Sequence, residues 1–92
     1  MTIQSDSPKA LGYQQILPTV STGLTIPAGT RYAIVTCLGA AVRWRDDRAA
    51  PTPTVGYPLS PGSELLYDSG SLPGLRFIEQ TAGAELNVCY YG

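Results

Sequence analysis

Histidine is absent from the 92 residues, lysine occurs once, at Lys9, and charged side chains make up only 14% of the chain. Each shortage removes a class of function. Without imidazole there is no Ser-His-Asp or Cys-His nucleophile, no ordinary acid-base group near neutral pH, and no ligand set for most zinc or cupin-type metal sites. A net charge of -1 with no cluster of lysines leaves no basic face for a nucleic-acid backbone. No apolar run approaches membrane-spanning length, and the start MTIQSDSPKALGYQQILPTV lacks the charged beginning and apolar centre of a secretion signal. Neither nucleic acid nor membrane is therefore expected as a partner, synthesis in a cytoplasm is expected, and no cofactor is implied. Phosphate-binding glycine loops and the Gly-x-Ser-x-Gly elbow are missing as well.

Sustained helical periodicity is also missing. Eight prolines and ten glycines break the chain throughout. Between them lie short apolar or alternating runs near Gly12–Leu17, Gly23–Ile26, Tyr32–Cys37, Ala41–Arg45, Val55–Leu59, Glu64–Asp68, Leu75–Glu79 and Glu85–Tyr91. A recurrence of about 8 to 12 residues predicts an all-β fold, a small antiparallel β-sandwich of jelly-roll type with about eight short strands. The polar, proline-containing residues 1–20 read as an extended N-terminal arm, and residues 21–92 as one sandwich domain. A chain this short supports a single core.

Period-two alternation assigns faces. Val42 and Trp44 oppose Arg43 and Arg45; Leu75 and Phe77 oppose Arg76; Leu86, Val88 and Tyr90 oppose Glu85, Asn87, Cys89 and Tyr91. Leu66 and Ile78 fall among the outward residues, so the outer faces are only half polar, the pattern of strands covered by a neighbour. Trp44 and Phe77 read as core, and one of Tyr90 and Tyr91 is left as a contact residue. Cys37 and Cys89 are expected as reduced, buried thiols. GLTIPAGTRYAIV from Gly23 also overlays GYPLSPGSELLYD from Gly56 at an offset of about 33 residues, placing Gly29 on Gly62 and Val42-Arg43-Trp44 on Leu75-Arg76-Phe77.

Five of the thirteen charged residues, Arg43, Arg45, Asp46, Asp47 and Arg48, crowd into six positions around Trp44. Arginine forks and carboxylates match bidentately, so this knot pairs within its turn or reaches a second subunit, where it orients more than it stabilises. Two other readings compete. Asp46 with Glu79 would form a carboxylate pair if the two halves are symmetric, an enzyme reading that the adjacent arginines disfavour by keeping both groups ionised. Trp44 with Tyr32, Tyr57, Tyr67, Tyr90 and Tyr91 would form a sugar-stacking platform, making the chain a carbohydrate-binding or adaptor module of a tail, fibre or spike.

The run VRWRDD from Val42, with APT, VG and PL following by Leu59, the Gly-Ser-Glu-Leu turn at Gly62, Tyr67-Asp68 and the terminal RFIEQTAGAELNVCYY together resemble small virion proteins encoded among the structural genes of tailed bacteriophages and prophages. The likeness covers about residues 24–91. It implies a non-enzymatic β-sandwich subunit at the capsid surface, decorating or cementing the head as a homo-oligomer, a trimer at a three-fold position, with the major capsid protein or another virion protein as partner. The candidate subunit-interface residues are Arg43, Arg45, Asp46, Asp47, Arg48, Tyr57, Arg76 and Tyr91. Members of the family carry glycine directly after the Asp pair; Arg48 here argues against a left-handed turn at that point and for an added contact to a neighbour.

Overall fold

Wherever apolar and polar residues alternate between two breakers, the chain is extended. The computed structural model describes residues 9–68 and 70–92, with eight strands: β1 (Ala10–Ile16), β2 (Thr22–Gly23), β3 (Tyr32–Leu38), β4 (Val42–Arg45), β5 (Tyr57–Leu59), β6 (Glu64–Tyr67), β7 (Arg76–Glu79) and β8 (Glu85–Tyr91). A single 3-10 turn at Leu72–Gly74 joins β6 to β7.

The strands form two four-stranded antiparallel sheets, β1-β8-β3-β6 and β2-β7-β4-β5. β1 pairs with β8, β2 with β7, β3 with β6 and β4 with β5. The first half of the chain is thus a ribbon zipped against the second half, then rolled so that β8 also meets β3 and β7 also meets β4. This is the eight-stranded jelly roll that strand spacing predicts. The core lies between the sheets. Ala33, Val35, Cys37, Leu86, Val88 and Tyr90 project into it from the first sheet, and Val42, Leu59 and Phe77 from the second. The period-two pattern therefore holds strand by strand, with Tyr90 inside and Tyr91 outside.

The offset of 33 residues has a structural counterpart in one sheet. β4 and β7 lie side by side at the centre of the second sheet with Trp44 opposite Phe77, and β2 and β5 are its two edges. Gly29 and Gly62 both adopt left-handed backbone, φ +86 and +85, in corresponding turns where a side chain would be strained. The first sheet breaks this symmetry, because β6 is an edge while β3 is central.

Two expectations need correction. The sandwich begins at Ala10 rather than at residue 21, because ALGYQQI pairs along β8 from Ala10↔Tyr91 to Ile16↔Leu86 and buries Ile16 in the core. The first eight residues of the expected arm lie outside the described residues. Cys89 is partly exposed rather than buried, since it points outward, whereas Cys37 is fully buried and its thiol lies 3.1 Å from the Ala40 carbonyl. The two sulfurs sit on opposite faces of one sheet and are free thiols.

Tyr90 is the largest fully buried side chain, and its hydroxyl donates to Gln14 Oε1 at 2.6 Å. Burial pushes its pKa up to about 12, with a backbone contact at Thr25 opposing the shift, against about 10 for an unfolded tyrosine. The unfolded chain therefore releases this proton first, so the stabilisation is complete below about pH 10 and is lost as pH rises through about 12. Tyr90→Phe keeps the ring, costs about 1 kcal/mol for the hydrogen bond, and should flatten the decline of stability between pH 10 and 12 relative to wild type. Urea titrations across that range measure both effects; an unchanged slope would contradict the assignment.

Candidate interaction surfaces

Two outer faces and one end of the sandwich collect the candidate residues. On the second sheet, Arg43, Arg45 and Arg76 all point outward, as their alternation requires. Arg45 lies directly opposite Arg76, and Arg43 lies between Ile78 and Pro58. Like charges directly across a ladder repel, and each guanidinium is drawn to its own acceptors. Arg76 donates to Ser21 Oγ at 2.9 Å and to the Ser21 carbonyl at 3.2 Å; Arg43 donates to the Gly56 carbonyl at 3.0 Å and to Gln80 Oε1 at 3.3 Å. Arg45 forks onto Asp47, with Nε to Oδ1 at 3.0 Å and Nη2 to Oδ2 at 2.6 Å. That fork holds the Asp47 carboxyl below its ordinary range and raises the guanidinium's. The knot thus pairs first within its own turn.

Asp46 points the other way, accepting the Tyr67 hydroxyl at 2.6 Å. Tyr67 comes from the first sheet, so this bond ties the two sheets at one end. Trp44 packs edge-on to Tyr67 at 6.1 Å between ring centroids and tilted against Tyr57 at 4.8 Å. Tyr57 is exposed, Trp44 half-buried. Beside them a shallow cleft of about 370 Å³ is lined by Arg45, Asp46, Asp47, Val55, Gly56 and Tyr57. Arg48 follows at φ +69, the one positive-φ residue other than glycine among those described. The left-handed turn forms despite the missing glycine, correcting the expectation from the sequence. The turn packs closely on Gly74: a Cβ there would come within 2.7 Å of the Asp46 carbonyl oxygen and 3.1 Å of Arg48 Cγ.

The carboxylate pair is not assembled. β4 and β7 are antiparallel, so Glu79 lies opposite Val42, while Asp46 lies beyond Arg45↔Arg76 at the far end of the ladder. Four residues of strand separate them, about 13 Å. Among the described residues no three His, Cys, Asp or Glu side chains gather closely enough to hold a metal ion.

Tyr91 belongs to a different surface from the other candidates, the outer face of the first sheet. There Tyr13, Cys89, Ile34 and Leu66 stand in register across all four strands. Beside that row Tyr91 stacks on Tyr32, ring centroids 5.1 Å apart and 11° from parallel. The row on the other side is polar: Gln15, Asn87, Thr36 and Glu64. Tyr13 and Leu66 are 60% and 62% exposed, so the apolar row reaches solvent at both edges of the sheet. Sequence reasoning found Tyr91 and Leu66, named Tyr32 only for a sugar-stacking platform with Trp44, and missed Tyr13 and Ile34. β3 alternates small or branched apolar residues on both faces, so its period does not reveal which face is outside.

No protein-family model, curated protein or solved structure matches the chain.

Arg48 pays for its conformation at roughly 1 kcal/mol. Arg48→Gly should therefore raise unfolding stability by up to about 1 kcal/mol in urea titration; a loss of stability would mean that the Arg48 side chain makes a compensating contact in the fold.

Proposed function

We propose that the chain is a non-enzymatic structural subunit of a tailed-phage particle, working by gripping other polypeptides at the capsid surface as a decoration or cement protein. The observation that carries this reading is the apolar row Tyr13–Cys89–Ile34–Leu66, with stacked Tyr32 and Tyr91 beside it, on the outside of a sheet whose inner face already fills the core. A sheet face of this composition favours burial against a partner. The family resemblance supplies the kind of partner, the major capsid protein or another virion protein. The chain's lack of histidine and the distance between Asp46 and Glu79 agree with a binding role. Many modest contacts repeated over a shell add up through avidity, so each one is allowed to be weak.

The test is reconstitution. Purified chain should bind phage shells that lack it and raise their resistance to heat and osmotic shock. Leu66→Lys together with Ile34→Lys should weaken shell binding at least tenfold while the melting temperature of the free protein changes little. Shells that neither bind the protein nor gain resistance would sink the proposal.

A second reading rests on the exposed Tyr57 packed at a tilt against Trp44 beside the cleft with Asp46 and Asp47. Aromatic faces next to carboxylates suit a sugar ring and its hydroxyls, which makes the chain a carbohydrate-binding module of a tail, fibre or spike. On a glycan array this reading requires binding that disappears in Tyr57→Ala with the fold retained; the cement reading expects no binding in either form.

A further inference from the structure

The four edge strands of the sandwich are unequal. β2 has two residues, β5 three with Pro58 in the middle, and β6 four, starting at Glu64 and followed by Asp68. Shortness, proline and charge are devices by which sheet edges avoid joining other strands. β1 has none of them within the strand itself, although Lys9, paired with Gly92, precedes it directly as Asp68 follows β6. It runs seven residues, ALGYQQI, with no proline and no charge, and the nearest charged residues along the chain are Lys9 and Arg31. An irregularity between Ala10 and Gly12 disturbs only its beginning. Its backbone pairs with β8 on one side, and among the described residues no strand pairs with the other.

Exposed apolar side chains concentrate at the same place. Of the eight large hydrophobic residues exposed to solvent among the described residues, Leu11, Tyr13, Leu17 and Val20 lie on β1 or within four residues of its end, at 39%, 60%, 65% and 67% exposure. An open backbone edge and an apolar fringe together describe a strand prepared for strand addition.

We infer that the open edge of β1 pairs antiparallel with β1 of a second copy of this chain, about a two-fold axis near Tyr13. Self-pairing suits the strand. Leu11 of one copy then faces Gln15 of the other and Gly12 faces Gln14, so no like charges meet. Another polypeptide would find no charge on this edge to select it, whereas a second copy brings an equal apolar fringe. Paired strands about 23 Å long, with four exposed apolar side chains from each copy, provide the material of an interface near the roughly 1,000 Å² that a stable dimer needs. The two first sheets become one eight-stranded sheet, and the Tyr13–Cys89–Ile34–Leu66 row continues across the axis into its counterpart. A two-fold of this kind makes the unit a dimer, in place of the trimer expected from the sequence. The inference does not rest on the virion reading, because it concerns the purified chain alone.

Sedimentation equilibrium of the full chain tests it. Wild type should sediment at twice the 9.8 kDa chain mass at tens of micromolar. Tyr13→Lys, which sets two ammonium groups against each other at the axis, should be monomeric with at least a hundredfold weaker association. Leu66→Lys, on the opposite edge of the same sheet, should remain dimeric. Should Tyr13→Lys fail to fold, Tyr13→Glu replaces it, setting two carboxylates against each other at the axis with the same expected loss of the dimer. Amide hydrogen exchange in Gly12–Ile16 should slow as wild-type concentration rises. A monomeric wild type, a dimer indifferent to both edge substitutions, or one lost equally in Leu66→Lys would overturn the inference.

Discussion

Everything in this molecule hangs on β8. It is the only strand of the first sheet with a long ladder on both sides, pairing with β1 over Ala10–Ile16 and with β3 over Tyr32–Leu38. Leu86, Val88 and Tyr90 are each at most 1% exposed, and together they form the floor of the core. Because β8 inserts between β1 and β3, the four-stranded sheet is complete only when strands about seventy residues apart have met. The contacts that matter are therefore mostly distant in sequence, which is the usual reason jelly rolls fold slowly.

A side chain on β8 serves one of two worlds. Inward residues close the core; outward ones, Cys89 and Tyr91, carry the apolar surface on which the functional reading rests. A one-residue slip of this strand would exchange the two sets and destroy both. Fold stability and surface chemistry are in this sense set by one register. The hydroxyls and arginines at the far end, by contrast, are local. Asp46 holding Tyr67 ties the sheets together, and Arg45 with Asp47 settles charge that would otherwise face Arg76 across the ladder.

Most of the fold was legible because β-structure writes itself in a period of two and in its breakers. Seven of the eight runs became strands over most of their length, whereas Gly23–Ile26 shares only Gly23 with β2; the faces of β4, β7 and β8 were read correctly, since in each a charged residue alternates with a large apolar one. The reading failed where that contrast is missing. ALGYQQI contains no charge to mark its outer face and looked like part of an arm; its membership of the sheet is decided by β8, seventy residues away. Ile34 escaped notice for the same reason, and Tyr32 was grouped with Trp44 rather than with Tyr91. The candidate interface residues were found as a group in sequence, yet they divide between two faces: the arginines lie on the outside of the second sheet and Tyr91 on the outside of the first.

Alternation, proline and glycine spacing and the lack of imidazole were enough, on their own, to determine that the chain is an all-β sandwich, which residues of its strongest strands face inward, and which chemistries it has no side chains to perform. Those are local properties, written within a few residues of one another. Strand order, the left-handed Arg48, the separation of Asp46 from Glu79 and the transverse apolar row were decided only in three dimensions. Antiparallel pairing brings together residues far apart in the chain and sends neighbours such as Tyr90 and Tyr91 to opposite sides, so what shares a surface depends on which strand lies next to which.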